Sequence, residues 1–529
     1  MSTPEELASE IARLANGFFQ AQPELAPPYA GAPGVPGVPA PPPVVAPPPR
    51  ANDLRSLPAT VTGGGLPPSL PLGLTEGAPA IDSTALYFVP ASSPPAPDVA
   101  AALDAPVTPE PPRFEDRFST RLFDPYTIRR DFPILQERVN GRPLIWFDNA
   151  ATTQKPRVVI DRLSYFYEHE NSNIHRAAHT LAARATDAYE GARETVGRFL
   201  NAPSSKNIVF VRGTTEAINL VAQSWGRRHI QPGDEIVISW LEHHANIVPW
   251  QLLAAEKGAR LRVAPVDEDG QIRLDELEKL LSHRTRLVSV SHVSNALGTV
   301  TPAREIVTAA HRYGARVMID GAQAVSHLPV DVQSLDCDFY CFSGHKIFAP
   351  TGIGALYGKS DVLDEMPPWQ GGGNMIADVT FDRTTYQPPP GRFEAGTGNI
   401  ADAVGMATAL EYVSTLGLEN ISRYEHELLD YAVGCLTALP GFRMIGTAPG
   451  KAGVISFVLG DIPPIEIGRA LDQEGIAVRA GHHCAQPILR RFGYETTVRA
   501  SLAPYNTRED VDALVAALRR LQAGHPTVS

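Results

Sequence analysis

The sequence predicts an α/β protein with a large, mostly parallel sheet domain and a smaller α+β domain after it. Short apolar strands alternate with helices from about residue 113, the alternation changes after about residue 410, and proline dominates the first 112 residues. Such alternation is typical of a parallel sheet with helices on both faces. We expect a leader over 1–112, an N-terminal arm over 113–145 packing on the small domain, a large domain over 146–410 and a small domain over 411–529.

The leader differs sharply in composition from the rest of the chain. It holds 26 of the 49 prolines, no lysine, and −7 of the net charge of −12. Proline fixes backbone angles and lacks an amide donor, so a run such as 33–43 is excluded from helices and sheets. We expect an extended, disordered leader with two apolar islands, a helical stripe over 7–19 and a patch over 86–89. The islands either fold back onto the body or act as docking motifs for a partner.

Composition excludes several classes of protein. The acidic net charge disfavours a general nucleic-acid role, because phosphates would be repelled. No apolar run reaches the roughly 18 residues of a membrane helix, and no secretory signal is evident. Four cysteines, at 337, 341, 435 and 484, are too few and too dispersed for a disulfide framework. We expect a cytoplasmic protein.

The body contains the strands and helices on which this fold class rests. In the large domain we predict strands at 208–212, 236–239, 287–293, 316–320 and 339–343 and a helix over 301–313; in the small domain, strands at 454–458 and 476–479. Ligand sites in open α/β sheets gather at the carboxyl ends of strands. Gly352-Ile-Gly354 precedes an apolar run rather than a helix, so we interpret it as a turn and not as a nucleotide fingerprint.

Asp320 and Lys346 each follow a predicted strand and suit a pyridine cofactor. A carboxylate such as Asp320 can hold a pyridine nitrogen protonated, and Gln323 could contact a phenolic oxygen of the same ring. Asp320 could instead simply cap its turn. Lys346, in Ser-Gly-His-Lys, could be a solvated surface lysine, but its pairing with Asp320 favours catalysis. A covalently bound lysine needs a pKa below the usual value of about 10.4, which burial would provide.

The remaining polar motifs suit a phosphate group and a pyridine ring. Thr214 and Thr215 open a predicted helix after a strand, where amides and hydroxyls bind phosphate, and Ser343 and His345 flank the lysine. One of two adjacent histidines, of which His243 is the first, could stack on the ring and exchange protons.

Cys484 is the candidate nucleophile. It lies in a polar loop with glycine, arginine and two histidines, which favour the reactive thiolate. Cys337, Cys341 and Cys435 are expected to be structural. Zinc is the alternative for the histidines and Cys484, but their spacing matches no standard ligand pattern, so we predict no metal site.

From about residue 123 to residue 521 the chain resembles the group II, SufS-type cysteine desulfurases of the fold-type I pyridoxal phosphate (PLP) enzymes, which are aspartate aminotransferase-like. The motifs that carry the resemblance are DNAA (148–151), RGTTEAIN (212–219), EHHANIVPW (242–250), DGAQA (320–324), SGHK (343–346), RFEAGT (392–397) and RAGHHCA (479–485).

The resemblance implies a role for each candidate residue. Lys346 would carry the Schiff base and act as base, Asp320 would pair with the pyridine nitrogen, Gln323 would contact the phenolic oxygen and His243 would stack on the ring. The phosphate would be bound by Thr214, Thr215, Ser343, His345 and, from the neighbouring subunit of a homodimer, Thr397. Asn295 and Arg499 would hold the substrate carboxylate with Arg479 nearby, and His175 and Arg176 would lie near the mouth of the site.

The implied reaction converts L-cysteine to L-alanine and leaves a persulfide on Cys484. The short segment around this cysteine is similar to that of group II enzymes, which implies a sulfur acceptor protein of the SufE or SufU kind. The proline-rich leader is a departure from ordinary members. It resembles the leaders of desulfurases packaged as cargo inside family 2 encapsulin shells, so we expect a shell as a further partner.

Several other functions use the same fold. A selenocysteine lyase, an aminotransferase, an epimerase or a kynureninase-like hydrolase could use the same fold, as could an inert scaffold. The aminotransferase, epimerase and hydrolase chemistries need no nucleophilic thiol, and so Cys484 discriminates against them. We expect the sulfur to pass either to iron–sulfur cluster assembly or to storage.

Overall fold

The computed structural model describes residues 123–175 and 178–524. The predicted leader, the arm up to residue 122 and Arg176 lie outside the described residues. Among the helices that are described, none combines the length and the hydropathy needed to cross a membrane. The main α-helices are Arg157–His169, Thr180–Phe199, Thr214–Val221, Val248–Lys257, Leu274–Leu280, Ala303–Arg312, Ile400–Leu416, Leu418–Thr437, Pro464–Gln473 and Arg508–Gly524, with shorter ones at Pro125–Arg130, Arg227–His229, Val332–Leu335, Ser360–Glu365 and Gln486–Arg491.

A seven-stranded sheet, here called the central sheet, forms the middle of the body. Its strands lie in the order Ile208–Val211, Gly354–Gly358, Phe339–Ser343, Arg316–Asp320, Thr285–Ser291, Glu235–Ser239 and Arg260–Ala264. Neighbouring strands are parallel except around Gly354–Gly358, which is antiparallel to both of its neighbours. The prediction of a mostly parallel sheet is thereby confirmed.

One strand of the central sheet begins and ends two residues earlier in the sequence than predicted. The prediction placed it at 287–293, whereas it spans Thr285–Ser291. Its last two predicted residues leave the sheet because Val293 forms a separate antiparallel bridge with Val300. The predicted turn before residue 354 is present, with Gly352 at φ 74° ahead of the strand Gly354–Gly358.

A second sheet of four antiparallel strands, the small sheet, follows in the chain. Its order is Phe442–Ile445, Val454–Leu459, Thr497–Ser501 and Arg479–Gly481. The single strand predicted at 476–479 is wrong, because two strands occupy this segment. Ile476–Ala477 pairs in parallel with Ile145–Trp146, and only Arg479–Gly481 enters the small sheet. The partner strand lies some 330 residues earlier, so local sequence could not reveal the division.

Helices surround the central sheet, and two of its buried strands end at the same edge. The helix Ile400–Leu416 packs against Arg157–His169 and Thr180–Phe199, and 13 of its 17 residues are buried. Such a helix must be apolar around most of its circumference, as this one is apart from Asp402 and a few polar residues in its last three turns. The strands Arg316–Asp320 and Phe339–Ser343 are fully or almost fully buried and deliver their last residues to one edge of the central sheet. Ligands bind at this edge in open α/β sheets.

Candidate active site

A cavity of about 570 Å³ opens at this edge, between the central sheet and the strands Arg479–Gly481 and Thr497–Ser501 of the small sheet. Its lining includes twelve of the side chains proposed from sequence: Thr214, Thr215, His243, Asn295, Asp320, Gln323, Ser343, His345, Lys346, Arg479, Cys484 and Arg499. The structure therefore brings together residues that lie up to 285 positions apart in the chain.

Asp320 ends its strand at the floor of this cavity. It is buried, and the amide of Ala322 donates a 2.9 Å hydrogen bond to its Oδ1 atom. Burial raises the pKa of Asp320, while that amide and Lys346 oppose the shift. Both readings of Asp320 hold together, since it caps its turn and also lines the cavity.

Lys346 ends the 3-10 turn Gly344–Lys346 that follows the strand Phe339–Ser343. Desolvation by the surrounding wall lowers the pKa of Lys346 to about 8, with Arg499 and Arg479 acting in the same direction. Asp320 and Cys484 act against the shift and raise the pKa. A substantial fraction of this amine is neutral near physiological pH, as nucleophilic or basic lysines require.

The first turn of the helix Thr214–Val221 forms another wall. The amide of Thr214 donates to Ser343 Oγ at 2.9 Å, and that hydroxyl donates to Thr214 Oγ1 at 3.0 Å. A Cβ atom added at Gly354 would lie 2.7 Å from Gly213 Cα, so glycine is needed where strand and helix start meet. Free amides at a helix N-terminus bind anions, and a phosphate suits this wall.

The histidines at this wall are neutral. Burial, together with Lys346, lowers the pKa of His243 to about 3 and that of His345 to about 4. The amide of Ala245 donates to His243 Nδ1 at 3.0 Å, which places the ring proton on Nε2. Gln323 uses its amide nitrogen to donate to the Ala150 carbonyl at 2.6 Å. An imidazole fixed in this way can present a flat face and one donor to a ligand.

Two arginines and an asparagine form the opposite end of the cavity. Asp148 accepts from Arg479 Nη2 at 2.8 Å and from Arg499 Nη2 at 3.3 Å. Burial lowers the pKa of Arg499 to about 10. Arg499 Nε and Asn295 Oδ1 are buried and have no hydrogen-bond partner among the described residues. Buried polar atoms without partners are costly, so this end of the cavity suits a polar ligand.

Cys484 lies on the loop that follows the strand Arg479–Gly481, and its side chain is exposed. Both His483 and Cys484 adopt φ 54°, a left-handed conformation that is rare for residues other than glycine. The loop is held by the His244 amide, which donates to the Cys484 carbonyl at 2.8 Å, and by Asn295 Nδ2, which donates to the His483 carbonyl at 2.7 Å. Its thiol is thus presented to the cavity from a constrained loop.

The other three cysteines differ from Cys484 in burial. Cys337 and Cys341 are fully buried in or beside the strand Phe339–Ser343. Burial raises the pKa of both thiols. Cys435 is partly exposed in the helix Leu418–Thr437 and packs at the border of an apolar cluster. The protonated thiols of the first two are inert, as expected of structural cysteines.

Three proposed site residues are not among the cavity lining. His175 Nε2 contacts Glu190 Oε1 at 2.9 Å, and Thr397 Oγ1 donates to Asn173 Oδ1 at 3.5 Å. Arg176 lies outside the described residues. The expectation for Thr397 involves a neighbouring subunit, so it stays a prediction.

Sequence reasoning gave no role to Glu242 or Asp148, although both stand in the quoted motifs. Glu242 is buried and accepts from Ser239 Oγ at 2.5 Å, Asn246 Nδ2 at 2.6 Å and Ser291 Oγ at 2.7 Å. Burial raises the pKa of Glu242 to about 7. The sequence offered one signal for these two residues, which is that each is an acidic residue at the first position of its motif.

The donor set fits PLP. One cavity is surrounded by a carboxylate, a desolvated amine, a helix start that suits an anion and a flat neutral imidazole. Its far end has two buried polar atoms without a hydrogen-bond partner among the described residues. These are the groups that a phosphorylated pyridine aldehyde and an amino acid carboxylate require.

The proteins to which this chain is similar agree with the fit of the cavity to PLP. The profile of the family described as aminotransferase class-V matches residues 145–514. Among curated proteins, the cysteine desulfurase of Synechococcus elongatus is 71% identical over 402 residues, and a probable cysteine desulfurase of Mycolicibacterium paratuberculosis is 66% identical over 417 residues. These alignments cover 76% and 79% of this chain, and the chain spans 64% and 61% of the length of those two relatives.

A solved structure shares the fold. The cysteine desulfurase CsdA of Escherichia coli, in its S-sulfonic acid form, superposes with a TM-score of 0.71 at 42% identity. The match covers 76% of this chain and 99% of that one.

Proposed function

Because this chain belongs to the class-V aminotransferase family, which has the fold of the fold-type I PLP enzymes, we propose that it acts as a cysteine desulfurase of group II. One observation carries the proposal: the exposed thiol of Cys484 lines the same cavity as Lys346 and Asp320. Aminotransferases and epimerases need the amine and the carboxylate but have no use for a nucleophilic thiol at that place.

The residues of the cavity have distinct parts in holding the cofactor. Asp320 would keep the proton on the pyridine nitrogen, and Gln323 and His243 would contact the ring. The wall formed by Thr214, Thr215, Ser343 and His345 would bind the phosphate. When bound, PLP supplies an electron-withdrawing ring that stabilises negative charge at the substrate's Cα.

The substrate would be oriented by the far end of the cavity. Arg499 and Asn295 would bind the carboxylate of L-cysteine, which gives a partner to Arg499 Nε and can accept from the second N–H of Asn295 Nδ2. Arg479 lies beside them, and Asp148 holds both guanidinium groups in place. A fixed carboxylate places the substrate's Cα and sulfur between the amine and the thiol.

Lys346 and Cys484 would perform the chemical steps. Lys346 Nζ, in its neutral form, takes the proton from Cα. The Cys484 thiolate attacks the substrate sulfur, so that an S–S bond forms and the substrate C–S bond breaks, with its electron pair staying on Cβ. Protonation at Cβ forms the methyl group, return of the proton from Lys346 Nζ to Cα completes L-alanine, and Cys484 carries the persulfide. Sulfur is only transferred, and no external oxidant or reductant is needed.

Substitution of the thiol tests this assignment. Cys484→Ala should retain the visible absorbance of the bound cofactor and lose persulfide formation and alanine production. Cys435→Ala, which changes a partly exposed thiol away from the cavity, serves as the matched control and should behave as wild type. Unchanged alanine formation by Cys484→Ala would exclude the assignment.

We further propose a homodimer, a SufE- or SufU-like acceptor and an encapsulin shell as partners. The exposure of Cys484 supports transfer to an acceptor, because a partner must reach the persulfide. The shell proposal rests on the composition of residues 1–112. A chain lacking residues 1–112 should lose co-purification with a shell and keep its activity, and retained loading would contradict this part.

A further inference from the structure

His244, His482 and Cys484 form a compact group at the mouth of the cavity. One potential ligand atom from each residue, a ring nitrogen or the thiol sulfur, lies within 4.8 Å of the other two. The group joins residues 240 positions apart in the sequence, which is why their spacing gave no sign of it. Neither histidine has a part in the reaction proposed above.

Backbone contacts hold the three side chains beside one another. The two imidazoles stack, with ring centroids 5.7 Å apart and planes 29° from parallel. The amide of Cys484 donates to His482 Nδ1 at 3.0 Å, and the amide of Gln486 donates to His244 Nε2 at 3.3 Å. In each neutral ring the nitrogen that accepts the amide holds the lone pair, so a bound ion takes the place of that one backbone hydrogen bond.

The donor set is that of a zinc ion. Thiolate and neutral imidazole are the usual zinc ligands, with bonds of about 2.0–2.3 Å in tetrahedral geometry, so bound ligand atoms stand roughly 3.3–3.8 Å apart. The distances between the three ligand atoms, at present up to 4.8 Å, therefore need to shorten by only about 1 Å. His482 and Cys484 are exposed and can make this movement by side-chain rotation. Two imidazoles and one thiolate leave a fourth position for water.

We propose that His244, His482 and Cys484 bind one zinc ion, or a dication of similar preference, and that the bound ion holds Cys484 inactive. Binding replaces the thiol proton, which passes to solvent, by a metal–sulfur bond, and the sulfur's nucleophilic electron pair is then engaged. The binding itself is independent of the proposed function, whereas its consequence for persulfide formation rests on it.

Metal titration of the full-length, cofactor-bound protein tests the site. Cobalt(II) should give one thiolate-to-metal charge-transfer band per chain, and zinc should displace it. His244→Ala and His482→Ala should each weaken binding by about tenfold or more, since even loss of a residue that merely supports a ligand costs roughly 10–100-fold. His283→Ala, at an exposed histidine elsewhere, is the matched control and should bind as wild type. Wild-type affinity in both ligand variants would overturn the proposal.

Alkylation provides a second readout that does not depend on activity. Zinc should slow the labelling of Cys484 by iodoacetamide about tenfold or more in the wild type and in His283→Ala. The labelling rate should be nearly unaffected by zinc in His244→Ala and His482→Ala. Retained cofactor absorbance shows that each variant is folded. Protection that persists in both ligand variants would show that zinc binds the thiol without the histidines, against the proposal.

The activity assay separates this site from the proposed function. Zinc should inhibit alanine formation in the wild type more strongly than in the two ligand variants. Because the substrate binds the same amount of zinc in every assay, the variants also control for that loss. If zinc protects Cys484 but no condition yields alanine, the proposed function fails and the metal site stands. If alanine forms and zinc acts equally on all variants, the metal site fails and the proposed function stands.

Discussion

Lys346 owes its reactivity to neighbours that come from distant parts of the chain. The wall of the cavity desolvates its amine, Arg499 and Arg479 lower its pKa, and Asp320 raises it. A lysine after a strand is otherwise an ordinary surface residue. The sequence indicated the pair of Lys346 and Asp320 but not the two guanidinium groups that also act on the amine.

The pH dependence of cofactor uptake should follow this amine. The pKa of Lys346 is lowered from 10.5 to about 8, so the neutral, nucleophilic form increases as pH rises through about 8. The rate at which cofactor-free protein takes up PLP should therefore be half-maximal near pH 8 and level off about one pH unit higher. Asp320→Asn removes a group that raises the pKa, so its profile should move to lower pH, whereas the exposed Asp161→Asn should leave it unchanged. A profile that still rises at pH 10 would contradict this assignment.

Asp148 is a positioning residue because it joins two arginines that face the substrate. Asp148→Asn leaves the charge of Arg499 without its carboxylate in a buried place, and breaking such a pair costs about 3 kcal/mol or more. We expect a lower free energy of unfolding in urea and a raised KM for cysteine, with a smaller effect on kcat. Asp275→Asn, which breaks an exposed pair with Arg273, should change neither quantity measurably. An effect on kcat alone would argue against positioning.

Most elements were predictable from apolar runs, and the exceptions share one cause. The strands around Asp320 and Lys346 lie where periodicity placed them, because buried parallel strands are continuous apolar runs. The segment 476–481 divides into two strands since its first partner, Ile145–Trp146, comes from the opposite end of the body. Likewise, the grouping of His244 with His482 and Cys484 depends on how two sheets meet, which no local pattern records.

The contact between the start of the helix Thr214–Val221 and the strand Gly354–Gly358 should be sensitive to a single methyl group. In Gly354→Ala the new Cβ would lie 2.4 Å from the Phe342 carbonyl oxygen and 2.7 Å from Gly213 Cα. Overpacking of this kind costs about 1–3 kcal/mol. We expect a lower unfolding free energy and weaker PLP retention, because the phosphate wall is displaced. Gly371→Ala, which meets no atom within 4 Å, is the control; equal stability of the two variants would contradict the prediction.

The cavity of one chain contains twelve of the fifteen side chains proposed from sequence; Arg176 lies outside the described residues, and Thr397 and His175 are not in the cavity lining. Thr397 lies beside Asn173, away from the cavity of its own chain. The resemblance gave this residue to a neighbouring subunit, an arrangement that a single chain neither supports nor excludes by its own contacts. Intersubunit geometry is the part of the site that neither local sequence nor one chain can supply.

Mixing two impaired variants should reveal whether Thr397 acts across subunits. Lys346→Ala should abolish alanine formation, and Thr397→Ala should weaken PLP retention. In a mixed dimer, one of the two sites then contains both Lys346 and Thr397, so co-refolded variants should recover PLP retention and activity. Co-refolding Lys346→Ala with Asp320→Asn, whose residues share one chain's cavity, should restore none. Failure of the first mixture to recover would show that Thr397 does not act in trans.

The pairing of Ile145–Trp146 with Ile476–Ala477 also orders events during synthesis on the ribosome. A nascent chain that has reached residue 400 already holds the amine, the carboxylate and the phosphate wall, yet its Asp148 still awaits Arg479 and Arg499. The Cys484 thiol emerges between these two arginines, after Arg479 and before Arg499. The cavity is therefore complete only once the strand Thr497–Ser501, which carries Arg499, has been synthesised.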